Sequence, residues 1–338
     1  MKRGGLVAVA LASVAVLLAA CAPAKPPPPP PTDPHDVLVV GDSIAYSFGC
    51  VLGDSGGGAG PCPSPGGFST QNEIVGGCTI SGGTILLYNG LTTDTPGCGD
   101  WPTSWAAHAD KFTPKVVIIA TSGWEIMDRW SGGPNGVPDR QWGGTPGSGP
   151  QASAQSAYQS SLAGAINLFR SRGAKVIVSN SAYLNPPEPQ FPPGTPNAPD
   201  FIIRAWYERY PVTNTNPPEP WQAPVAGLTY RPSKAKVEQF NNAITNVVSS
   251  FGDPGVVKFD FFKHFDPTIG GSPAYSDNIC PPPNDGADPS TTCPGTALDA
   301  RDLDGGHLTP SGGHSILAHY LVPCVEEVLA GDPPTSCS

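Results

Sequence analysis

The stretch Val37-Leu38-Val39-Val40-Gly41-Asp42-Ser43 decides the fold of this chain. Its first four residues are apolar without alternation, and the preceding Asp33-Pro34 is typical of a turn. This pattern predicts a strand that is buried on both faces of a sheet. Such strands belong to parallel sheets that are covered by helices on both sides.

Similar apolar runs recur further along the chain, at residues 116–119, 175–178 and 256–259. Between them, residues 151–172 and 233–251 carry apolar residues at helical spacing, and a glycine suited to end a helix follows in each case. Thr309-Pro310-Ser311 is typical of the start of a last helix. This alternation predicts a three-layer α/β/α sandwich with a parallel sheet, whose active face lies at the carboxyl ends of the strands.

Glycine and proline, with 41 and 43 residues, make up about a quarter of the 338-residue chain. Such a share suggests low complexity, but 38% of the residues are apolar, 8% are aromatic and only 14% are charged. This composition excludes wholesale disorder. We therefore assign the glycines and prolines mainly to loop insertions within one domain, predicted over residues 36–330 and followed by a short tail, 331–338. The insertions are predicted at 50–67, 131–150, 185–232 and 266–296.

The N-terminus is predicted to be a lipoprotein signal peptide covering residues 1–20. Lys2 and Arg3 precede an apolar run, and Leu18-Ala19-Ala20-Cys21 has the pattern of a bacterial lipobox. A single transmembrane anchor is the competing interpretation, but the run is shorter than the roughly 20 residues that a membrane span needs.

Cleavage before Cys21 would leave a lipidated cysteine followed by a proline-rich spacer over residues 21–35. A proline run of this kind is extended and holds a domain away from the membrane surface. The predicted location is therefore the bacterial cell envelope, outside the cytoplasm, with a lipid anchor in the membrane.

The charge and the cysteine count agree with export. The formal charge is −10, and it becomes −12 when Lys2 and Arg3 are removed with the signal peptide, which argues against nucleic acid as a partner.

Removing Cys21 from the nine cysteines leaves eight, an even number that suits an oxidising compartment. Spacing suggests four local disulfides, although eight cysteines allow many pairings: Cys50–Cys62, Cys78–Cys98, Cys280–Cys293 and Cys324–Cys337. No CxxC motif is present, and no metal or cofactor is predicted.

Ser43 is the first candidate for chemistry. It follows the first strand directly, at the predicted start of a helix, so its hydroxyl and its backbone N–H point towards the same space. One residue in that position can act both as a nucleophile and as an oxyanion donor. The alternative is that Asp42 and Ser43 only cap the helix.

Asp304-Gly305-Gly306-His307 is the second candidate. An aspartate three residues before a histidine can orient the imidazole, whose other nitrogen then faces a nucleophile. Asp302 and Asp304 also suggest the centre of a calcium loop. In that register the first and last ligand positions are Ala300 and Ser311, which have no carboxylate, so we discount calcium.

The order of these two segments resembles the SGNH (GDSL-like) hydrolase family. The resemblance implies a flavodoxin-like α/β/α sandwich and ester chemistry, with Ser43 as nucleophile, Asp304 as orienting acid and His307 as general base. It also implies an oxyanion hole formed by the N–H groups of Ser43 and Gly77, with Gly76 as the alternative to Gly77. A plain turn stapled by a disulfide at Cys78 would explain the same glycines.

The chain departs from the family where an Asn after the third strand supplies a further donor. Trp124 and Glu125 occupy that place, and an ionised carboxylate accepts hydrogen bonds but cannot donate them. Glu125 is therefore expected to orient Arg129 or to hold a substrate hydroxyl, and Trp124 to stack on a sugar. All three residues are candidates for substrate binding.

The Gly123-Trp124-Glu125 segment, together with Cys98 and the later Trp101 and Trp105, resembles a particular branch of the family. This branch is the extracytoplasmic SGNH domain of membrane O-acyltransferases that modify surface polysaccharides. Trp101 and Trp105 are themselves expected in the core, because they are spaced as on one helix face.

The histidines at 264, 314 and 319 are expected to be structural or surface residues, because no acid lies at useful sequence spacing.

The resemblance, together with the predicted lipid anchor, implies a lipid-anchored serine esterase that removes acyl groups, expected to be acetyl, from envelope polysaccharide or a similar ester. An O-acyltransferase working with a separate membrane partner is the first alternative, because both reactions share an acyl-enzyme. A carbohydrate-binding lipoprotein of the same fold without catalytic activity is the second. A structural envelope protein is the third.

Overall fold

A sheet of five parallel strands organises the computed structural model of the chain. The five strands are β1 (Val37–Gly41), β2 (Thr70–Ile74), β5 (Val116–Ala120), β7 (Lys175–Ser179) and β8 (Val256–Phe259). They lie in the order β2-β1-β5-β7-β8, which is 2-1-3-4-5 when only these five are numbered along the sequence. This is the flavodoxin-like order of doubly wound sheets. The predicted fold class is therefore confirmed.

Seven α-helices are assigned in the described residues. They are α1 (Ala45–Leu52), α2 (Trp101–Phe112), α3 (Gly123–Ile126), α4 (Gly149–Arg170), α5 (Lys234–Phe251), α6 (Phe261–Phe265) and α7 (Gly312–Ala330). The helices expected around 151–172, around 233–251 and after 309–311 are confirmed as α4, α5 and α7. The hydroxyl of Thr309, rather than that of Ser311, caps α7 by accepting the Gly313 N–H at 2.9 Å.

The structure describes the folded part of the chain with gaps. The described residues are 36–53, 66–82, 84–86, 92–93, 100–121, 123–126, 129–130, 140, 142, 147, 149–183, 234–269, 272–274, 276, 278–285, 287, 289–290, 293, 295–301 and 307–338. The signal peptide, Cys21 and the proline spacer lie outside this set, as do most of the predicted insertions. Within it, no helix is both long enough and apolar enough to cross a membrane.

Alternating residues of β1 supply the two cores on either side of the sheet. Val37 and Val39 pack with α1, α6 and α7, whereas Leu38 and Val40 pack with α2, α4 and α5. All four side chains are fully buried. Each such burial contributes about 1.5–3 kcal/mol, and the two separate cores make the three layers that the sequence predicted.

The edge strand β2 was not predicted from the sequence. Its residues, Thr-Gln-Asn-Glu-Ile, are mostly polar, and most of them are only partly buried. β2 pairs with β1 alone in the central sheet, so one of its sides lies at the sheet edge. A strand in that position carries little of the apolar pattern that identifies a central strand.

Among the described residues, short strands outside the central sheet form three small antiparallel groups. β3 (Thr84–Leu86) lies between β4 (Thr92–Thr93) and β6 (Arg129–Trp130). Two hairpin-like pairs occur in the region predicted as the last insertion and just after it. They are β9 (Thr268–Ile269) with β10 (Ser272–Pro273), and β11 (Asn278–Ile279) with β12 (Leu298–Asp299).

The C-terminal segment packs back onto the domain. A 3₁₀ turn, Thr335–Cys337, follows α7, and the Cys337 carbonyl accepts the Asp260 N–H at 2.8 Å. Disulfides join Cys324 to Cys337 and Cys280 to Cys293, with Cα–Cα distances of 4.8 and 5.3 Å. These are two of the four pairs suggested by spacing. Cys50 and Cys78 also form disulfides, and their suggested partners, Cys62 and Cys98, lie outside the described residues.

Removing the C-terminal disulfide is expected to weaken the domain. Cys324 and Cys337 are 13 residues apart and both are buried. Closing a loop of that size stabilises a fold by about 3 kcal/mol. Replacing both cysteines with alanine should lower the free energy of unfolding by that amount, as measured by urea unfolding without reductant. A loss below about 1 kcal/mol would show that the tail is held by its other contacts.

Candidate active site

The central strand β1 ends between two neighbours that run in the same direction. Gly41 is level with Ile74 of β2 and with Ala120 of β5. Gly41 has a φ of +147°, and a Cβ atom there would lie 1.8 Å from the Ala120 carbonyl oxygen. Only glycine allows β1 to leave the sheet at this point. The three loops that follow β2, β1 and β5 therefore leave the same edge of the sheet side by side.

Ser43 lies at the turn between β1 and α1. Asp42 is fully buried, and its Oδ1 accepts the Ile44 N–H at 3.1 Å, a local bond that shapes a tight turn. α1 begins at Ala45, so Ser43 lies close to the positive end of a helix, which favours developing negative charge. Ser43 is partly exposed. No protein group in the described part of the chain is hydrogen-bonded to its hydroxyl or to its N–H.

Gly77 and Trp124 meet across the end of β1. Gly77 follows β2 by three residues and has a φ of +75°, a conformation that favours glycine. A Cβ atom on Gly77 would lie 3.8 Å from Cε2 of the Trp124 ring. Trp124 belongs to α3, just after β5, and it is half-buried. Because β1 lies between β2 and β5, this contact passes over the strand that presents Ser43.

Glu125 and Arg129 form a buried ion pair below this contact. Their charged atoms are 3.4 Å apart, and their side chains are 0% and 2% exposed. Burial lowers the pKa of Arg129, and the charge of Glu125 offsets part of that effect. Of the two roles expected for Glu125, the structure shows the orientation of Arg129.

The ion pair fixes the segment that follows Gly77. Glu125 accepts hydrogen bonds from the Ile80 N–H and from the Ser81 hydroxyl, the latter at 2.6 Å. Arg129 donates to the Thr79 hydroxyl at 2.7 Å and to the Trp124 carbonyl at 2.6 Å. The expectation that Glu125 and Arg129 contact substrate is therefore corrected. Both are buried, and their polar atoms are used in holding the Gly77 and Trp124 loops together.

The predicted base, His307, lies at the end of a loop whose two sides are joined. Arg301 pairs with Leu308 in an isolated antiparallel bridge, and the Thr309 N–H donates to the Ala300 carbonyl at 3.1 Å. His307 is partly exposed. Asp304, the predicted acid, lies outside the described residues.

Arg301 attaches the base of this loop to the carboxyl side of the sheet. Its guanidinium is buried and donates to the carbonyls of Tyr183 and Phe265, which follow β7 and β8. It also bonds to Asp266 at 2.9 Å. Arg301, and Leu308 paired with it, are therefore fixed at the same sheet edge from which Ser43 emerges.

The helices that follow Ser43 and His307 pack against each other. His314 in the first turn of α7 contacts Ser47 of α1, with 3.2 Å between Nε2 and Oγ, and its Nδ1 lies 3.6 Å from the Cys50 sulfur. Burial lowers the pKa of His314. Ile44 and Leu308, the neighbours of Ser43 and His307, belong to the same buried core. His314 is therefore structural, as expected, and it packs the segments that carry Ser43 and His307 together.

The buried carboxyl group of Asp266 is expected to make the stability of the fold depend on pH. Burial raises the pKa of Asp266 to about 6 from an ordinary 3.8, although Arg301 and the Tyr183 N–H act in the opposite direction. A carboxyl with a raised pKa stabilises the fold most below its unfolded pKa and loses that contribution as the pH rises through 6. Relative to Asp266→Asn, the wild type should lose about 2 kcal/mol of unfolding free energy between pH 4 and pH 7. A constant difference in urea unfolding across that range would contradict this assignment.

His264 has an acid partner that sequence spacing did not reveal. Its Nδ1 lies 2.9 Å from Asp285 Oδ2, and its ring stacks on Tyr320 with 3.7 Å between centroids. Tyr320 also donates to Asp285. His264 is buried and has a structural role, as expected, but it does have an acid partner, Asp285, which is distant in sequence. Asp285 is 21 residues later, within a segment that the Cys280–Cys293 disulfide closes.

At the outer edge of the sheet, a serine, a histidine and a carboxylate meet without forming a catalytic triad. Ser104 Oγ donates to Glu73 at 2.6 Å, and His108 Nε2 lies 3.0 Å from the other oxygen of Glu73. His108 Nδ1 lies 3.0 Å from the Ser104 carbonyl. Both imidazole nitrogens are thus engaged away from the serine hydroxyl, so this group ties α2 to β2.

The tryptophans divide between the core and the site. Trp105 is 2% exposed, as expected for a core residue, and Trp101 is partly buried beside it with 4.9 Å between ring centroids. Trp101 and Trp142 donate their indole N–H groups to the carbonyls of Ile80 and Glu125.

Among the described residues, no group of three or more histidines, cysteines, aspartates and glutamates is arranged to hold a metal ion.

Comparison with known proteins gives similarity in solved structures alone. No protein-family model matches the sequence, and no curated protein matches it. A proposed acylhydrolase from Bacteroides fragilis matches with a TM-score of 0.44 and 11% identity, over 89% of this chain and 92% of that one. A proposed GDSL-like lipase from Parabacteroides merdae matches with a TM-score of 0.41 and 11% identity, over 89% of this chain and all of that one.

Proposed function

We propose that this protein is a serine esterase in which Ser43 is the nucleophile, His307 the general base and Asp304 the acid that orients the imidazole. One observation carries the proposal. Ser43 emerges at the carboxyl end of β1, between the loops of Gly77 and Trp124, with no protein hydrogen bond in the described residues to its hydroxyl or its N–H. A surface serine that only caps a helix would use its hydroxyl for that bond.

The first half of the reaction forms an acyl-enzyme. Ser43 Oγ attacks the ester carbonyl carbon while His307 takes the hydroxyl proton. The carbonyl oxygen becomes negatively charged and accepts hydrogen bonds from the N–H groups of Ser43 and Gly77. The C–O bond to the alcohol then breaks, and His307 returns the proton to the departing oxygen.

The second half releases the acyl group. His307 takes a proton from water, the resulting hydroxide attacks the acyl carbon, and the same two N–H groups bind the second oxyanion. The Ser43–acyl bond breaks, the carboxylic acid leaves, and Ser43 regains its proton. A sugar hydroxyl in place of water would give acyl transfer by the same steps.

The substrate that best fits is a short acyl ester, with acetyl on envelope polysaccharide as the leading case. Support comes from the resemblance of the Gly123-Trp124-Glu125 segment to surface-polysaccharide acyltransferase domains and from the predicted lipid anchor. The half-buried Trp124 ring beside Gly77 provides an apolar wall next to the reacting carbonyl. The negative net charge agrees with a neutral sugar better than with an anionic polymer.

Acetate release from an acetylated polysaccharide tests the proposal. The expected result is release by the wild type and none above background by Ser43→Ala. Adding a free oligosaccharide acceptor separates the two acyl-enzyme fates, because a transferase would move acetyl to the acceptor instead of releasing acetate. Binding of the polysaccharide without loss of acetyl groups would instead identify a carbohydrate-binding protein and overturn the esterase assignment.

A further inference from the structure

Arg301 joins the segment before His307 to two strands of the central sheet. Its guanidinium is buried and donates to the carbonyls of Tyr183 and Phe265. Tyr183 follows β7 and Phe265 follows β8, so one side chain connects the carboxyl ends of both strands. Asp266 bonds to Arg301 at 2.9 Å and accepts the Tyr183 N–H at 2.7 Å. The N–H and the carbonyl of Tyr183 are therefore both used in holding the ion pair.

The backbone of Arg301 is paired with the residue that follows His307. Arg301 and Leu308 form an isolated antiparallel bridge. Leu308 is 5% exposed and packs in the same core as Ile44, the residue after Ser43. His307 is thus bonded covalently to a residue whose position is set by Arg301 on one side and by the core on the other.

The first turn of α7 packs directly on the backbone beside this bridge. A Cβ atom on Gly313 would lie 2.2 Å from the carbonyl oxygen of Ala300, and the Thr309 N–H donates to the same oxygen at 3.1 Å. Ala300 precedes Arg301, and Thr309 follows His307 by two residues. These two segments therefore form one packed unit, and the Arg301 side chain anchors that unit to the ends of β7 and β8.

We propose that Arg301 is a positioning residue for the general base, which holds the backbone at His307 so that the imidazole reaches the Ser43 hydroxyl. This inference rests on the proposed esterase function. The Arg301 side chain is only 1% exposed, so it acts through Leu308 and not by contact with substrate. A general base must lie within hydrogen-bond distance of the proton that it takes. Because a displacement of about 1 Å can cost about 10² in rate, the effect of losing Arg301 should fall on kcat.

Arg301→Lys tests the inference, because lysine keeps a positive charge beside Asp266 but has one ammonium group in place of the forked guanidinium. With 4-nitrophenyl acetate as the substrate, we expect kcat to fall by about 10² with KM little changed. The double variant Arg301→Met/Asp266→Asn leaves no unpaired buried charge and should show the same loss. Circular dichroism and the Tm establish that each variant is folded at the assay temperature.

Arg170 supplies the matched control, because it makes the same kinds of contact at the opposite end of the same two strands. It donates to the carbonyl of Ala174, just before β7, at 2.8 Å, and to the carboxylate of Asp253, shortly before β8, at 3.0 Å. Arg170→Lys is therefore expected to lower the Tm and to leave kcat unchanged.

The rate at which a fluorophosphonate labels Ser43 shows whether Arg301 acts through His307. Arg301→Lys should slow labelling when His307 is present. It should not slow the residual labelling of His307→Ala any further, because two residues that act through one group do not have additive effects. A further loss of the same size in the His307→Ala background would place the action of Arg301 elsewhere and overturn the inference.

The outcomes separate this inference from the proposed function. A kcat equal to that of the wild type in a folded Arg301 variant overturns the positioning role and leaves the esterase in place. Equal losses of kcat in Arg301→Lys and Arg170→Lys would assign the effect to a general loosening of the fold and also overturn it. Absence of Ser43-dependent turnover in the wild type overturns the esterase itself, and the positioning role with it.

Discussion

Replacing Ser43 with alanine is expected to lower the kcat for ester hydrolysis by about 10⁶. The hydroxyl is the atom that forms the acyl-enzyme, and no neighbouring group in the described residues is placed to take over that role. Ser43 follows Gly41 and Asp42 in a turn held by backbone hydrogen bonds and by the Asp42 carboxylate, so alanine should preserve the fold. Hydrolysis of 4-nitrophenyl acetate measures the loss, and an unchanged Tm confirms the fold.

The other members of the triad should behave as one unit with Ser43. His307→Ala is expected to cost about as much as Ser43→Ala, Asp304→Asn about 10⁴, and the Ser43/His307 double variant no more than Ser43→Ala alone. Ser104→Ala is the matched control, because Ser104 belongs to the other Ser-His-carboxylate group and should keep full activity. Loss of turnover in Ser104→Ala with retention in Ser43→Ala would place the chemistry at the sheet edge instead.

Replacing Glu125 with alanine is expected to destabilise the fold by about 3–5 kcal/mol. The change leaves Arg129 buried with no countercharge and removes the acceptor of the Ile80 N–H and the Ser81 hydroxyl. Urea unfolding at equilibrium measures the free energy. Activity should fall as well, because the ion pair connects the Gly77 segment to Trp124.

Two further variants test whether the loss of stability comes from leaving Arg129 buried without a countercharge, rather than from the loss of an ion pair as such. Lys115→Ala breaks the pair with Asp36, whose side chains are 71% and 37% exposed, and should cost no more than about 1 kcal/mol. The double variant Glu125→Leu/Arg129→Met leaves no unpaired charge and should be more stable than Glu125→Ala. A loss of less than about 1 kcal/mol in Glu125→Ala would contradict the structural role of the pair.

The central strands were predictable because burial on both faces leaves a direct record in the sequence. Val37, Val116 and Val256 each open an apolar run, and all three runs are strands of the central sheet. The polar edge strand β2 was not predictable. It pairs with only one neighbour and most of its residues are only partly buried, so its sequence does not need a continuous apolar run. Its position is nevertheless what brings Gly77 to the site.

The candidate site likewise contains some residues that could be identified from the sequence and others that could not. Ser43 and His307 were identified because each belongs to a short local motif at a predicted strand end or helix start. The roles of Glu125 and Arg129 were not, because their partners at Thr79, Ile80 and Ser81 are more than 40 residues away in sequence. The same reason hid Asp285 from His264. Contacts between loops that are distant in sequence depend on how the folded sheet edge assembles them.

Labelling with a fluorophosphonate tests the central claim most directly, because the probe reacts with an activated serine whatever the natural ester is. Mass spectrometry of the labelled wild type is expected to find the adduct on Ser43, and labelling should disappear in Ser43→Ala and fall strongly in His307→Ala. No labelling of the folded wild type, or equal labelling of wild type and Ser43→Ala, would contradict the assignment of this protein as a serine esterase.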